Sequence, residues 1–321
     1  GRKNCLITGC IVAFGGYICY SLSSTFYAFF IAEILLGIGQ SLVSGADSAL
    51  LYDTMLHYDR ENEDLNYEGK VTMIGNFSEA FAGIFGGLLA TFSLRLPFYC
   101  QILIAFIGIP AALTLQEFNV KTKIVNPLAN IWKIIRYSLF TNKSLCYDIM
   151  FSGIIGAATL TMAWFVQPVL MKIELPTALF GIVWTVLNLT VGIAALYSDK
   201  LNRKLGENRT YTLILILIAG GYLAVSFCLN YFSLFLFFLF YIVRGFATPI
   251  LKGYINRQTF SEMRATVLSI RNFIIRLIFA TMAPFIGWLN DSISLAFALQ
   301  ITALIIFVPG LIFLILQWNK K

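Results

Sequence analysis

The chain has 321 residues, 59% of them hydrophobic and only 12% charged, with a mean hydropathy of +0.80 and a net charge of +7. Soluble domains carry about 25% charged residues, so this composition excludes a water-soluble globule. A net charge of that sign would suit a nucleic-acid partner, but its distribution along the chain argues against one.

Ten apolar runs are long enough to cross a bilayer core of about 30 Å as helices of about 20 residues. They cover residues 5–22, 26–52, 71–92, 98–115, 145–171, 178–196, 211–229, 232–251, 267–289 and 295–318. If the opening turn lies inside, alternate loops and the tail hold the cations Arg2, Lys3, Arg60, Lys70, Lys121, Lys123, Lys133, Arg136 and Lys143. They also hold Lys200, Arg203, Lys204, Arg209, Lys252, Arg257, Arg264, Lys320 and Lys321, against only Arg95 and Lys172 outside. This is the positive-inside bias, and it orients a multi-pass chain in the cytoplasmic (plasma) membrane. Six cysteines in or beside apolar runs have no metal-like spacing and read as small core residues.

Residues 1–116 carry four of the runs and residues 144–321 carry six. Between them, residues 117–143 form a cationic linker. There Pro127 precedes Leu128, Ile131, Trp132, Ile135 and Leu139, a spacing that predicts an amphipathic helix on the inner, lipid-contacting surface. Two echoes show that the array repeats. Gly1-Arg2-Lys3 returns as Asn202-Arg203-Lys204, and Gly37 and Gly45 return as Gly245 and Gly253. Ahead of the second basic turn lie two helices in about 60 residues, so the repeat predicts two further helices ahead of the first.

The chain resembles the major facilitator superfamily. That family's signature loop reads G-x-x-x-D-R-x-G-R-K; Gly1-Arg2-Lys3 matches its last three positions, and Asp199 to Lys204 matches the weaker copy of the second half. The resemblance implies an all-α membrane fold of two six-helix bundles, with ten of twelve helices in this chain. It also implies a secondary transporter that moves a small-molecule substrate by alternating access between the two halves. The expected protein is a monomer with no cofactor, and the proton gradient is its energy source. An enzyme is not expected, because the sequence has no metal cluster, no phosphate loop and a single histidine, His57.

Charges within a bilayer cost roughly 2.5–3.5 kcal/mol each on insertion scales, so they face a cavity or a partner. Glu33, Gln40 and Asp47 recur at spacings of seven and predict one polar helix face, with the two acids about 21 Å apart along the axis. The repeat aligns Glu33 with Tyr241, one turn before Arg244. The resemblance implies that both helices line the central cavity, where these residues meet substrate or protons; helix-to-helix bonding is the other reading. Glu79 falls near mid-depth, and the corresponding helix of the second half carries Arg271, Asn272 and Arg276. Desolvation favours pairing such charges or neutralising the carboxylate. Glu79 or Glu33 is therefore either a proton carrier or half of a structural pair.

Gly83, Gly86 and Gly87 are similar to the glycines of a motif in drug-exporting relatives, although its proline is absent and Glu33 stands where those relatives often have arginine. Asp53 and Glu262 occupy corresponding inner positions, and the resemblance implies that they latch onto Arg2 and Arg203 when the carrier is closed inside. The acidic run Asp59, Glu61, Glu63, Asp64 and Glu68 reads as a solvated loop. Gln167-Pro168 and Pro249 mark possible kinks, and Trp184 with Asn188 could contact a substrate or pack against neighbours.

Overall fold

The apolar runs fold as helices. A computed structural model of the chain describes residues 1–93, 95–118, 127–176 and 179–318, and no strand occurs among them. Lys121, Lys123, the start of the run at Ala178, Lys320 and Lys321 lie outside the described residues. Among the described residues, eight helices are long and apolar enough to cross a membrane. The number is nine if Phe180–Leu196 and Ser198–Leu205, bent by 51°, form one span. The run at 71–92 is helical as well, but Asn76, Ser78 and Glu79 hold down its hydropathy, and it is not among the nine.

Close packing divides the chain into two units, each drawing on discontinuous segments. The first comprises 1–64, 84–134 and 259–269. Its helices are α1 (Arg2–Leu22), α2 (Phe26–Val43) and α3 (Ala46–His57), with the last turns of α4 (Asp64–Phe92), α5 (Leu96–Thr114) and most of α6 (Pro127–Arg136). Thr25 caps α2 by accepting a hydrogen bond from the Ala28 amide. Glu117 accepts one from the Arg2 amide at 2.5 Å, placing a carboxylate at the positive end of α1. A small apolar core of Leu6, Ala46, Leu50 and Ala112 joins α1, α3 and α5.

The second unit comprises 65–83, 135–258 and 270–321. It holds the main length of α4, with α7 (Lys143–Lys172), α8 (Phe180–Leu196), α9 (Ser198–Leu205) and α10 (Glu207–Phe227). It is completed by α11 (Ser233–Arg257), most of α12 (Ser261–Ser292) and α13 (Leu295–Trp318). Its core is aromatic, with Phe151, Tyr222, Phe237, Phe240 and Tyr241 fully buried. The side chain of Asn142 caps α7 by accepting from the Leu145 amide. In the apolar window of α7, 67% of residues are buried, against 6% in α5; α7 is thus a central helix of its unit and α5 a peripheral one. Pro168 and Pro249 sit inside α7 and α11 without ending either helix.

Four expectations are corrected. The run at 26–52 is not one straight helix, because it breaks at Ser44-Gly45, where Gly45 has φ +86° and α3 begins at Ala46. The face expected to carry Glu33, Gln40 and Asp47 is therefore interrupted before Asp47. The acidic run is not simply a solvated loop, because α4 begins at Asp64 and turns both Asp64 and Glu68 inward, where they are buried. The cysteines are not core residues: Cys5 is exposed and the other five are only partly buried. The linker helix forms as α6, with Ile131 and Trp132 exposed and Ile134 buried.

Candidate functional site

Polar residues of the first unit converge where α1, α3 and the start of α12 meet. Asp53 on α3 pairs with Arg2 through one carboxylate oxygen and with Arg264 through the other. Ser261 donates its hydroxyl to Asp53 at 2.7 Å, and Arg2 donates to the Ser261 carbonyl and, at 3.2 Å, to that of Ala49. Arg264 is 3% exposed. Its guanidinium lies 3.9 Å from the centre of the Tyr52 ring and donates to the Thr259 carbonyl at 2.9 Å. Burial on this scale makes a charge costly unless it is paired; the Asp53 carboxylate and the Thr259 carbonyl take the two terminal nitrogens of Arg264, while its Nε has no hydrogen-bond partner among the described residues.

The structure thus brings Arg2 and Asp53 together. Arg203 pairs with Asp199 one turn away on α9, at 2.9 Å, and Glu262 is exposed. Sequence reasoning missed Arg264 and Ser261, which flank Glu262 at the start of α12; the only signal was a cation near a helix end, which was assigned to the inner loops. Glu33 and Gln40 on α2 are exposed. Asp47 lies in the first turn of α3 and accepts from the Gly45 and Ser48 amides at 3.1 and 2.7 Å. It also faces a cavity of about 580 Å³ between α1, α3 and α5, which Thr54, Tyr58 and Gln116 line along with apolar residues.

The second unit holds a cavity of about 640 Å³ walled by α4, α7, α8 and α11. Glu79 and Gly83 enter it from α4, Trp164 and Gln167 from α7, Trp184 from α8 and Arg244 from α11. The rest of the lining is apolar. Tyr241, one turn before Arg244, is buried beneath, its ring edge-on to Trp184 at 6.4 Å and 5.8 Å from the Arg244 guanidinium. The Tyr241 hydroxyl has no hydrogen-bond partner among the described residues. Asn188 is also buried, with its amide nitrogen donating to the Trp184 carbonyl and its oxygen unpartnered among the described residues. Of the residues singled out by sequence, Glu79, Tyr241, Arg244, Gln167 and Trp184 are therefore neighbours. Arg276 is exposed, and the cation that shares a cavity with Glu79 is Arg244.

This cavity depends on close helix packing. The missing side chain of Gly69 on α4 leaves room for the Ala195 carbonyl of α8, and that of Gly245 on α11 leaves room for the Val191 carbonyl, which a Cβ would meet at 2.5 Å. Small residues allow such backbone approach between helices in membranes. Nearby, the buried Glu68 of α4 pairs with Lys252 of α11 at 3.5 Å, and Arg271 of α12 donates to Ser152 of α7 at 2.5 Å. A further buried carboxylate, Asp148 on α7, accepts from Tyr211 at 2.5 Å, from Gln317 at 3.0 Å and from Gln258. Sequence reasoning missed Asp148 because a single acid near a helix start looks solvated.

A family model described as Major Facilitator Superfamily matches residues 1–278. No curated protein matches the chain by sequence. Among solved structures, the chain is similar to the human organic anion transporter MFSD10 (TETRAN), with a TM-score of 0.76 and 13% identity over 98% of this chain and 77% of that one. It is also similar to the E. coli fucose:proton symporter FucP, with a TM-score of 0.74 and 15% identity over 98% of this chain and 84% of that one. At these identities the likeness concerns the fold alone.

Proposed function

The chain belongs to the Major Facilitator Superfamily, and on that premise we propose that it exports a small organic solute across the plasma membrane in exchange for protons. As a member of that family it is a multi-pass secondary transporter rather than an enzyme. The observation that carries the proposal is the convergence of Glu79, Arg244, Gln167 and Trp184 on one largely apolar cavity, with Tyr241 beneath it. Such a cavity is of the size that takes drug-sized ligands, with a few polar groups fixing orientation. Substrate occupies it during alternating access, and Glu79 or Glu33 carries the proton. The protein works as a monomer, without a cofactor, and the proton gradient supplies the energy. The Arg2–Asp53 pair serves as an inner latch.

Uptake by symport is the second reading, favoured by the absent proline after Gly83 and by Glu33 in place of arginine. Proteoliposomes containing the full protein, an imposed pH gradient and an internal pH dye distinguish the two. Solute-dependent proton movement that is lost in Glu79→Gln or Glu33→Gln supports coupling and identifies the carboxylate. Its sign relative to solute flux separates antiport from symport. Solute flux that is indifferent to the gradient in the wild type would remove proton coupling from the proposal.

A further inference from the structure

Glu79 and Arg244 bring opposite charges to the same cavity. Within the described residues neither has an ion-pair partner, and they do not pair with each other. Glu79 is exposed and Arg244 half-buried, whereas the buried charges of the same unit find partners inside it, as Glu68 does with Lys252 and Arg271 with Ser152. An unpaired charge lining a largely apolar cavity is costly once water leaves it, and two of opposite sign, on α4 and α11, offset that cost only if what enters carries both complements. Around them the lining is aromatic and aliphatic, with Trp164, Trp184 and Phe180 on facing helices α7 and α8.

We propose that the cavity selects a zwitterion with an aromatic or apolar body. Glu79 receives the cationic group, Arg244 receives a carboxylate or similar planar anion, and the tryptophans flank the body. Arg244 suits the anionic end because its planar fork binds carboxylates in a bidentate fashion. The tryptophan faces suit an aromatic body and also tolerate an ammonium close by. Gln167, on the wall of α7, supplies a neutral donor and acceptor between the two charged ends. A ligand with only one charge would leave the other side chain desolvated and unmatched, which is a penalty as well as a lost contact. This inference rests on the transport reading of the same cavity.

The test is binding to the purified full protein, read by quenching of tryptophan fluorescence, alongside uptake into proteoliposomes. The probes are aromatic amino acids and aromatic dipeptides, each as the free zwitterion, the methyl ester, the N-acetyl acid and the doubly blocked neutral form. For the wild type, the zwitterion of a given body is expected to bind roughly 10- to 100-fold more tightly than either singly charged form, as befits the loss of one charged hydrogen-bonded contact. Glu79→Gln should erase the advantage of the zwitterion over the N-acetyl acid, and Arg244→Gln its advantage over the ester. Glu79→Asp and Arg244→Lys, which keep the charges, should restore part of each preference, and circular dichroism of all four variants reports whether the fold is retained. If the ester, the acid or the neutral form is bound and transported as well as the zwitterion, the charge-matching proposal is overturned while the transport reading stands. If no form of any body binds or crosses, both readings fail.

Discussion

At the scale of single residues, the strongest local commitment is the carboxylate of Asp53, held between Arg2 and Arg264 with a hydroxyl from Ser261. Removing the charge leaves two arginines facing each other with little water to screen them. Asp53→Asn should therefore destabilise the protein by about 3–5 kcal/mol, the range for breaking a buried pair from one side. Chemical unfolding in mixed micelles would measure it. Arg203→Gln, by contrast, breaks an exposed one-turn pair with Asp199 and should change stability by about 0–1 kcal/mol in the same assay. The contrast is informative because both arginines belong to matching basic turns, yet one is largely buried against a shared carboxylate of another helix and the other is exposed beside an acid of its own helix. Asp148 offers a third case. Asn in its place cannot accept from Tyr211, Gln317 and Gln258 at once, so Asp148→Asn should cost about 1–3 kcal/mol and speed amide exchange near the C-terminal end of α13, where Gln317 is anchored.

At the scale of elements, helix α8 has backbone neighbours on two sides, with Gly69 of α4 against Ala195 and Gly245 of α11 against Val191. A methyl at either position meets a carbonyl oxygen rather than a side chain that could swing away. Gly69→Ala and Gly245→Ala should each cost about 1–3 kcal/mol through overpacking and slow transport by spreading the walls of the cavity. Gly83→Ala, whose Cβ would sit 3.6 Å from Thr185 and 3.7 Å from Trp184, should leave stability unchanged in the same unfolding assay. Because Gly83 lines the cavity, the effect of the substitution should appear in substrate affinity alone. The glycines of α4 singled out by resemblance thus differ among themselves, since a Cβ on Gly86 or Gly87 would meet nothing within 4 Å beyond its own helix backbone among the described residues.

At the scale of the whole molecule, the helical membrane fold was legible from composition, run length and the echo of the basic turns, because these follow from what a bilayer demands of a backbone. Part of the candidate site was legible too: Glu79, Tyr241, Arg244 and Trp184 stood out as polar or aromatic residues in apolar runs. The partnerships were not. Periodicity places Glu79 on a face of its helix but does not say whether Arg276 or Arg244 shares its cavity, since that depends on how helices distant in sequence pack. Likewise, Glu68 looked solvated in a run of acids, and only the earlier start of α4 turned it toward Lys252. The break after Val43 was not legible because Gly45 is one of several glycines in its run, with Gly37 and Gly39, and glycine is common in membrane helices.

That break has a genetic corollary. Gly45 holds φ +86°, and a Cβ on it would lie 2.8 Å from the Ala265 carbonyl and 3.0 Å from the Ser269 amide. The backbone conformation alone costs an L-residue about 1–2 kcal/mol, and the collision with α12 adds to it. Every missense change one base away from a glycine codon introduces a Cβ, so every single-nucleotide missense substitution at this position incurs both penalties. In a saturation-mutagenesis library selected for function, codon 45 should tolerate only synonymous variants, whereas codons 86 and 87 should accept alanine and serine freely.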